Sequence, residues 1–424
     1  MSSETLIIQL ARFGDLLQTK RLVKSLQSHS RVHLVVDHSL VDLAELVYPG
    51  SVVHGIKAHF SGPGDPMNIF SANTRSMQEL SGISPDLVVN LNFSGLNFAL
   101  SRLFDPGVVK GYSCMNGQEQ RHPWTKLFFR LAGHRKLSPL NLVDFWGFFA
   151  PAPISPAQVN PPASSSGQGV GIVLAGRNSR RSLDLELLVS LARAARSGAR
   201  SSRLFLLGSR AEQGLARKFK DLAGPGLTRD IIDLTGKTGW KELTDTVSSL
   251  ELVVTPDTGT MHLAAHLGTR VLAFFISSAH CFETGPYGQG HTVFQAMPAC
   301  APCMESRKCS FDLVCHHLLK QRGIFRAMMG KGRENLEETG MFSALVDELG
   351  VDYCLVQGVD EHADHRKALR ELLRRHLGLS GQALEVPQEV AGAFFHESQW
   401  MLEHSGLSLK GIDSSADRGF RPGD

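Results

Sequence analysis

Nowhere in the 424-residue chain does an apolar run reach the length needed to cross a bilayer. The opening Met-Ser-Ser-Glu has neither a basic n-region nor an apolar h-region, so the expected location is the cytoplasm. No sign of charge dominates. Lys and Arg number 44 against 41 Asp and Glu, a net charge of +3, which argues against a broad nucleic-acid-binding face. No G-x-G-x-x-G follows the first strand of either half, as a dinucleotide-dependent oxidoreductase or epimerase would require. Cysteines are few, seven in all, and in the cytoplasm they are expected to stay reduced unless they hold metal.

What is present is an ordinary globular composition, 42% hydrophobic and 20% charged, in a chain long enough for two or three domains. Short apolar runs that read as strands alternate with helical patterns. In the first half the strands are 5–10, 32–36, 52–56, 86–91 and 108–111, and the helices include 16–27, 41–47 and 97–104. Residues 151–169, dense in Pro, Ser and Gly, read as a linker. Five more strands follow at 170–174, 204–207, 231–234, 252–255 and 270–275, with helices at 183–195, 210–222 and 241–250. Strand–helix alternation on both sides of a linker predicts α/β architecture with two facing doubly wound sheets and a ligand cleft between them. The domains are set at 1–155, 170–325 and an extension at 326–424, with 156–169 as the linker proper. The extension is expected to be helical over 335–349, 363–377 and 387–404, with a disordered end.

The most informative stretch is 252–275, LVVTPDTGTMHLAAHLGTRVLAFF. It reads strand, turn, helix, strand. Asp257 and Thr258 suit an N-cap, Gly259 admits a ligand close to the backbone, and Gly268 suits the helix end. The turn falls at the carboxyl edge of a parallel sheet, where free amides and a helix dipole favour phosphate. His262 stands four residues after Thr258, on the same helical face. In the first half, Arg12-Phe13-Gly14-Asp15 also joins a strand to a helix, and Asp15 reads as either an N-cap or a general base. After the strand at 170 comes a glycine turn with three arginines, Gly176-Arg177-Asn178-Ser179-Arg180-Arg181, a candidate diphosphate clamp. Residues 118–136 are basic with interleaved aromatics, including Arg121 and Lys126. They read either as a solvated face or as a contact for an anionic acceptor or the inner membrane surface. Cys300, Cys303, Cys309 and Cys315 form C-x2-C-x5-C-x5-C. A structural zinc site is one reading and free thiols or labile disulfides the other.

The run from Asp257 through His262, Leu263-Ala264-Ala265 and Gly268-Thr269 resembles the donor-site signature of glycosyltransferase family nine, the lipopolysaccharide heptosyltransferases. The likeness continues into Gly285-Pro286-Tyr287-Gly288 and His291 and covers about residues 4–320. It implies a GT-B architecture and an inverting, metal-independent transfer of a sugar, most simply heptose from ADP-heptose, to a lipopolysaccharide-core or related glycan. It further implies that Asp15 acts as base and that Arg180 and Arg181 neutralise the leaving diphosphate. Gly176, Asp257, Thr258, Gly259 and His262 would then hold the donor. Glu212 would contact its ribose, and Lys237 and Thr238 would lie near its base. The acceptor would be lipid-linked or a core oligosaccharide, received by the first half through Arg12, Arg121 and Lys126. No Asp-x-Asp pair stands in the matched donor loops, and no cofactor is expected for catalysis. Ser182-Leu183 stand where the family has Trp-Pro. The non-enzymatic alternative is a nucleotide-sugar-binding or assembly protein that kept the donor half and lost catalysis.

Overall fold

The computed structural model describes residues 3–59, 66–176, 178–331 and 335–379. The predicted helix at 387–404, the tail beyond it and Arg177 lie outside those residues. Two sheets carry the chain. The first has six strands in the order β3-β2-β1-β4-β5-β6: β1 (Glu4–Gln9), β2 (Arg31–Asp37), β3 (Val52–Ile56), β4 (Leu87–Asn90), β5 (Val109–Met115) and β6 (Gln118–Arg121). Its strands are parallel except for the final β5–β6 hairpin. The second has eight in the order β14-β13-β12-β11-β10-β7-β8-β9. They are β7 (Val170–Val173), β8 (Leu204–Leu207), β9 (Ile231–Asp233), β10 (Leu252–Pro256), β11 (Val271–Phe275), β12 (Thr292–Ala296), β13 (Thr339–Val346) and β14 (Val351–Gly358). The central strands of both sheets are buried throughout, as parallel strands covered on both faces must be. The expected doubly wound α/β pair is therefore present.

Three expectations are corrected. The helix read over 16–27 is two helices, Phe13–Leu17 and Lys20–Gln27, so Gly14 and Asp15 lie inside the first turn of a helix. The stretch 335–349 is not helical. Its residues 339–346 are β13, antiparallel to β12, and with β14 they extend the second sheet. Burial alternates there from Met341 to Leu345, the period of a strand, although Met341, Phe342, Leu345 and Val346 also fit helical spacing. The linker does not hang free. Ala163 N–H donates to the Gln289 carbonyl, Ser164 N–H to the Gly268 carbonyl and Gln168 N–H to the Ser249 carbonyl, so it runs along the second sheet's domain. The helix Ala363–His376 forms as expected.

A buried network ties the halves together away from the cleft loops. Arg21 donates to Asp144 at 2.7 Å and to the Leu349 carbonyl at 2.9 Å. The same carboxylate accepts from the Tyr287 hydroxyl at 2.6 Å and from Val351 N–H at 3.0 Å. The Arg21 and Asp144 side chains are 2% and 0% exposed, so every hydrogen bond counts.

Candidate active site

At the carboxyl end of β10 the chain turns at Asp257 into the helix Gly259–Leu267. Thr258 caps that helix, its hydroxyl accepting from Met261 N–H at 3.2 Å, and Thr255 Oγ1 lies 2.9 Å from Thr258 Oγ1. Gly268 ends it in the left-handed region, φ 76°, with its N–H on the Ala264 and Ala265 carbonyls.

Directly opposite stands the helix Phe13–Leu17 of the first half. Asp15 accepts from Arg12 N–H at 3.1 Å, so it caps its own helix while remaining only partly buried. The two helix starts meet backbone to backbone. A Cβ on Gly14 would lie 3.1 Å from the His262 ring and 3.4 Å from Gly259 Cα; one on Gly259 would fall 2.1 Å from the Phe13 ring. Only glycine fits that approach at Gly259. Lys20 Nζ donates across to the His266 carbonyl at 3.1 Å, and the Phe13 and Trp240 rings pack with centroids 4.9 Å apart.

Asp257 is the electrostatic centre of this junction. It is ion-paired with Arg181, accepts from Thr284 Oγ1 at 3.0 Å and lies 3.8 Å from His262 Nε2. Arg181 also reaches to within 3.8 Å of Glu305. Burial holds the His262 imidazole below its ordinary pKa, against the pull of Asp257 and Asp15 and with a further downward push from Arg181. The ring is thus neutral near neutrality, between two carboxylates and beside one guanidinium.

The arginine loop divides. Gly176 packs so closely that a Cβ would lie 2.2 Å from the Arg181 carbonyl, and Ser182 Oγ accepts from Gly176 N–H at 2.9 Å and donates to the Asn178 carbonyl at 2.7 Å. Ser182, where the resembled family has Trp, thus closes the loop itself. Arg181 joins Asp257. Arg180 turns the other way, donating to Cys303 Sγ at 3.0 Å and to the carbonyls of Glu305 and Arg307, while its own carbonyl receives His316 Nε2 at 3.0 Å.

Of the predicted residues, the structure brings Asp15, Arg181, Asp257, Thr258, Gly259 and His262 together. Gly176 and Glu212 line a separate cavity of about 580 Å³, where Glu212 accepts from Ser209 N–H at 2.7 Å. Lys237 donates to the Asp233 carbonyl at 2.8 Å, and Thr238 follows it on the loop after β9. Arg12 is exposed beside Asp15. Arg121 stacks over Phe129 at 3.8 Å, and Lys126 lines a groove on the first half, neither at this junction. Cys300, Cys303, Cys309 and Cys315 line one cavity of about 360 Å³ with Arg180, all as free thiols. Among the described residues no three His, Cys, Asp or Glu side chains are grouped to hold a metal ion.

Sequence reasoning missed Arg135. It leaves the first half and grips both Glu283 carboxylate oxygens at 3.1 Å, the Ser278 carbonyl at 2.7 Å and the Cys303 carbonyl at 3.3 Å. Glu283 adjoins Thr284, which holds Asp257. Within a run of basic residues, nothing in the sequence marked this one.

The fold is shared with solved glycosyltransferases. E. coli ADP-heptose LPS heptosyltransferase II is 13% identical with a TM-score of 0.51, over 68% of this chain and 89% of that one. A family 9 glycosyltransferase from Veillonella parvula is 15% identical at a TM-score of 0.55, over 70% and 88%. E. coli heptosyltransferase WaaC, solved with ADP, is 18% identical at 0.50, over 67% and 91%. These likenesses show that the chain shares the two-sheet GT-B fold of these glycosyltransferases. No curated protein matches the sequence. The family model described as glycosyltransferase family 9 (heptosyltransferase) matches residues 194–314, the part of the chain that holds the donor motif. Among the described residues no helix is long and apolar enough to cross a membrane.

Proposed function

We propose that this protein transfers a sugar with inversion from a nucleotide donor, heptose from ADP-heptose, to a lipopolysaccharide-core or related glycan. One observation carries the reading: the Asp15 helix and the Asp257–His262 helix start face each other at van der Waals distance, with Arg181 beside them. In this reading Asp15 takes the proton from an acceptor hydroxyl. The resulting oxygen attacks the anomeric carbon from the face opposite the leaving group, and the bond to the diphosphate breaks. The diphosphate then departs toward the amides at Gly259–Thr260 and Arg181, which stabilise its developing charge. Arg181 is held by Asp257, so donor binding exchanges a carboxylate partner for phosphate oxygens. Thr284 and His262 remain to steady Asp257. Neutral His262 places no positive charge beside Asp15 that would weaken it as a base. The step needs no metal, because the guanidinium and the helix start supply the positive charge. The acceptor approaches from the first half past exposed Arg12, in the cytoplasm at the inner face of the membrane.

The rival reading, donor binding without transfer, draws on Arg180, which the cysteine loop holds away from Asp257. The test is nucleotide release from ADP-heptose and other nucleotide sugars, with and without a core-oligosaccharide acceptor and with EDTA throughout. Acceptor-dependent release that survives EDTA supports transfer. Tight donor binding without release from any acceptor supports the rival.

A further inference from the structure

Away from the cleft, the helices Pro123–Gly133 and Ala363–His376 enclose a groove of about 550 Å³. Trp124, Leu127, Leu372 and Leu373 make its apolar floor, and Lys126, Arg130 and His376 bring basic groups to it. Trp124 and His376 stack with ring planes 3° apart. The Nε–H of Arg130 is buried with no acceptor among the described residues. A groove with an aromatic floor and an unsatisfied guanidinium donor fits an occupant that is both apolar and acidic.

The chain itself carries such a segment. From Ser380 to Leu409 there are four glutamates, at 385, 389, 397 and 403, and no Lys or Arg. Val390, Phe394, Phe395, Met401 and Leu402 recur at helical spacing, with Glu397 at the edge of that stripe and Glu389 and Glu403 off it. The described chain ends at Leu379, three residues past His376 on the groove wall. Six residues from Leu379 to Glu385 reach at most about 20 Å, enough to double back across a groove one helix wide. Tethering keeps the segment at millimolar effective concentration. We infer that residues 385–404 of this same chain dock in the groove, Phe394 and Phe395 on the apolar floor and a glutamate on Arg130.

The test is photocrosslinking in the full-length protein with p-benzoylphenylalanine at Leu127 and, in a second variant, at Leu372. Light and heavy isotope-labelled chains are mixed before irradiation. Crosslinks from either position to peptides spanning 385–404, within one isotope population only, are expected. The double substitution Phe394→Asp, Phe395→Asp should cut their yield at least about tenfold and speed amide exchange in 123–133 by a similar factor. Crosslinks between the two populations would instead make the occupant a second copy and overturn the inference. So would their absence from 385–404. Binding of the unsubstituted chain to phosphatidylglycerol vesicles that is lost in Lys126→Glu, Arg130→Glu would assign the groove to a lipid surface and also overturn it.

Discussion

Two polar clusters join the same two halves, and they obey opposite rules. In the Arg21–Asp144–Tyr287 cluster the carboxylate is fully enclosed and receives a guanidinium, a hydroxyl and a backbone N–H. In the Asp15–His262–Asp257–Arg181 cluster Asp15 is only partly buried, a histidine stands between two carboxylates, and the Arg181 Nε–H is buried with no acceptor among the described residues. The first cluster is satisfied by the protein alone; the second retains capacity for something the protein does not supply. That difference, more than the presence of charge, separates a structural ion pair from a candidate site.

Breaking the first cluster should have the largest effect on stability. Asp144→Ala strands a buried guanidinium, and denaturant unfolding should show a loss of about 3–5 kcal/mol. Arg181→Ala should behave differently. In the proposed reaction it removes a charge-assisted contact to the donor diphosphate, so kcat/KM for nucleotide sugar should fall roughly 10- to 100-fold. Its stability loss should be smaller than that of Asp144→Ala; equal losses in both variants would erase the distinction. Gly259→Ala drives a methyl group into the Phe13 ring, and overpacking should cost about 1–3 kcal/mol. Adding Phe13→Leu should recover part of it if the two helix starts touch in solution.

The smallest effect sharpens the same boundary. Burial, with a lesser push from Lys24, lowers the Lys20 pKa to about 7. In the unfolded chain the amine keeps its ordinary value near 10.4. Between those values the unfolded form binds more protons, so stability should rise with pH from about 7 upward. Lys20→Met should remove that gain. The melting-temperature difference between wild type and variant should therefore grow from pH 7 to pH 9; a constant difference would contradict the burial.

Much of the cleft was legible because its signals are local. The apolar run, Thr258 as cap and Gly268 as terminator lie within one short stretch, and all three act as read. The strands β1 to β5 and β7 to β11 followed from strand–helix alternation, while β6, β12, β13 and β14 did not. What was not legible depends on distance. Arg21, Asp144 and Tyr287 are far apart in the chain and meet only through the fold. Arg135 looks like its basic neighbours until Glu283 is placed beside it. Residues 339–346 satisfy two periodicities, and pairing with β12 decides between them. The arginine loop shows the limit most sharply. Arg180 and Arg181 are adjacent, yet one backbone turn sends the first to the cysteine loop and the second to Asp257.

The central claim is that Asp15 acts on the acceptor and not on the donor. The direct measurement compares wild type with Asp15→Asn for both the Kd of ADP-heptose and single-turnover transfer to a core-oligosaccharide acceptor. The account predicts an unchanged Kd and a transfer rate lowered roughly 10²- to 10⁴-fold, the range of general-base catalysis. A variant that transfers at the wild-type rate, or that loses donor binding in step with transfer, would contradict it.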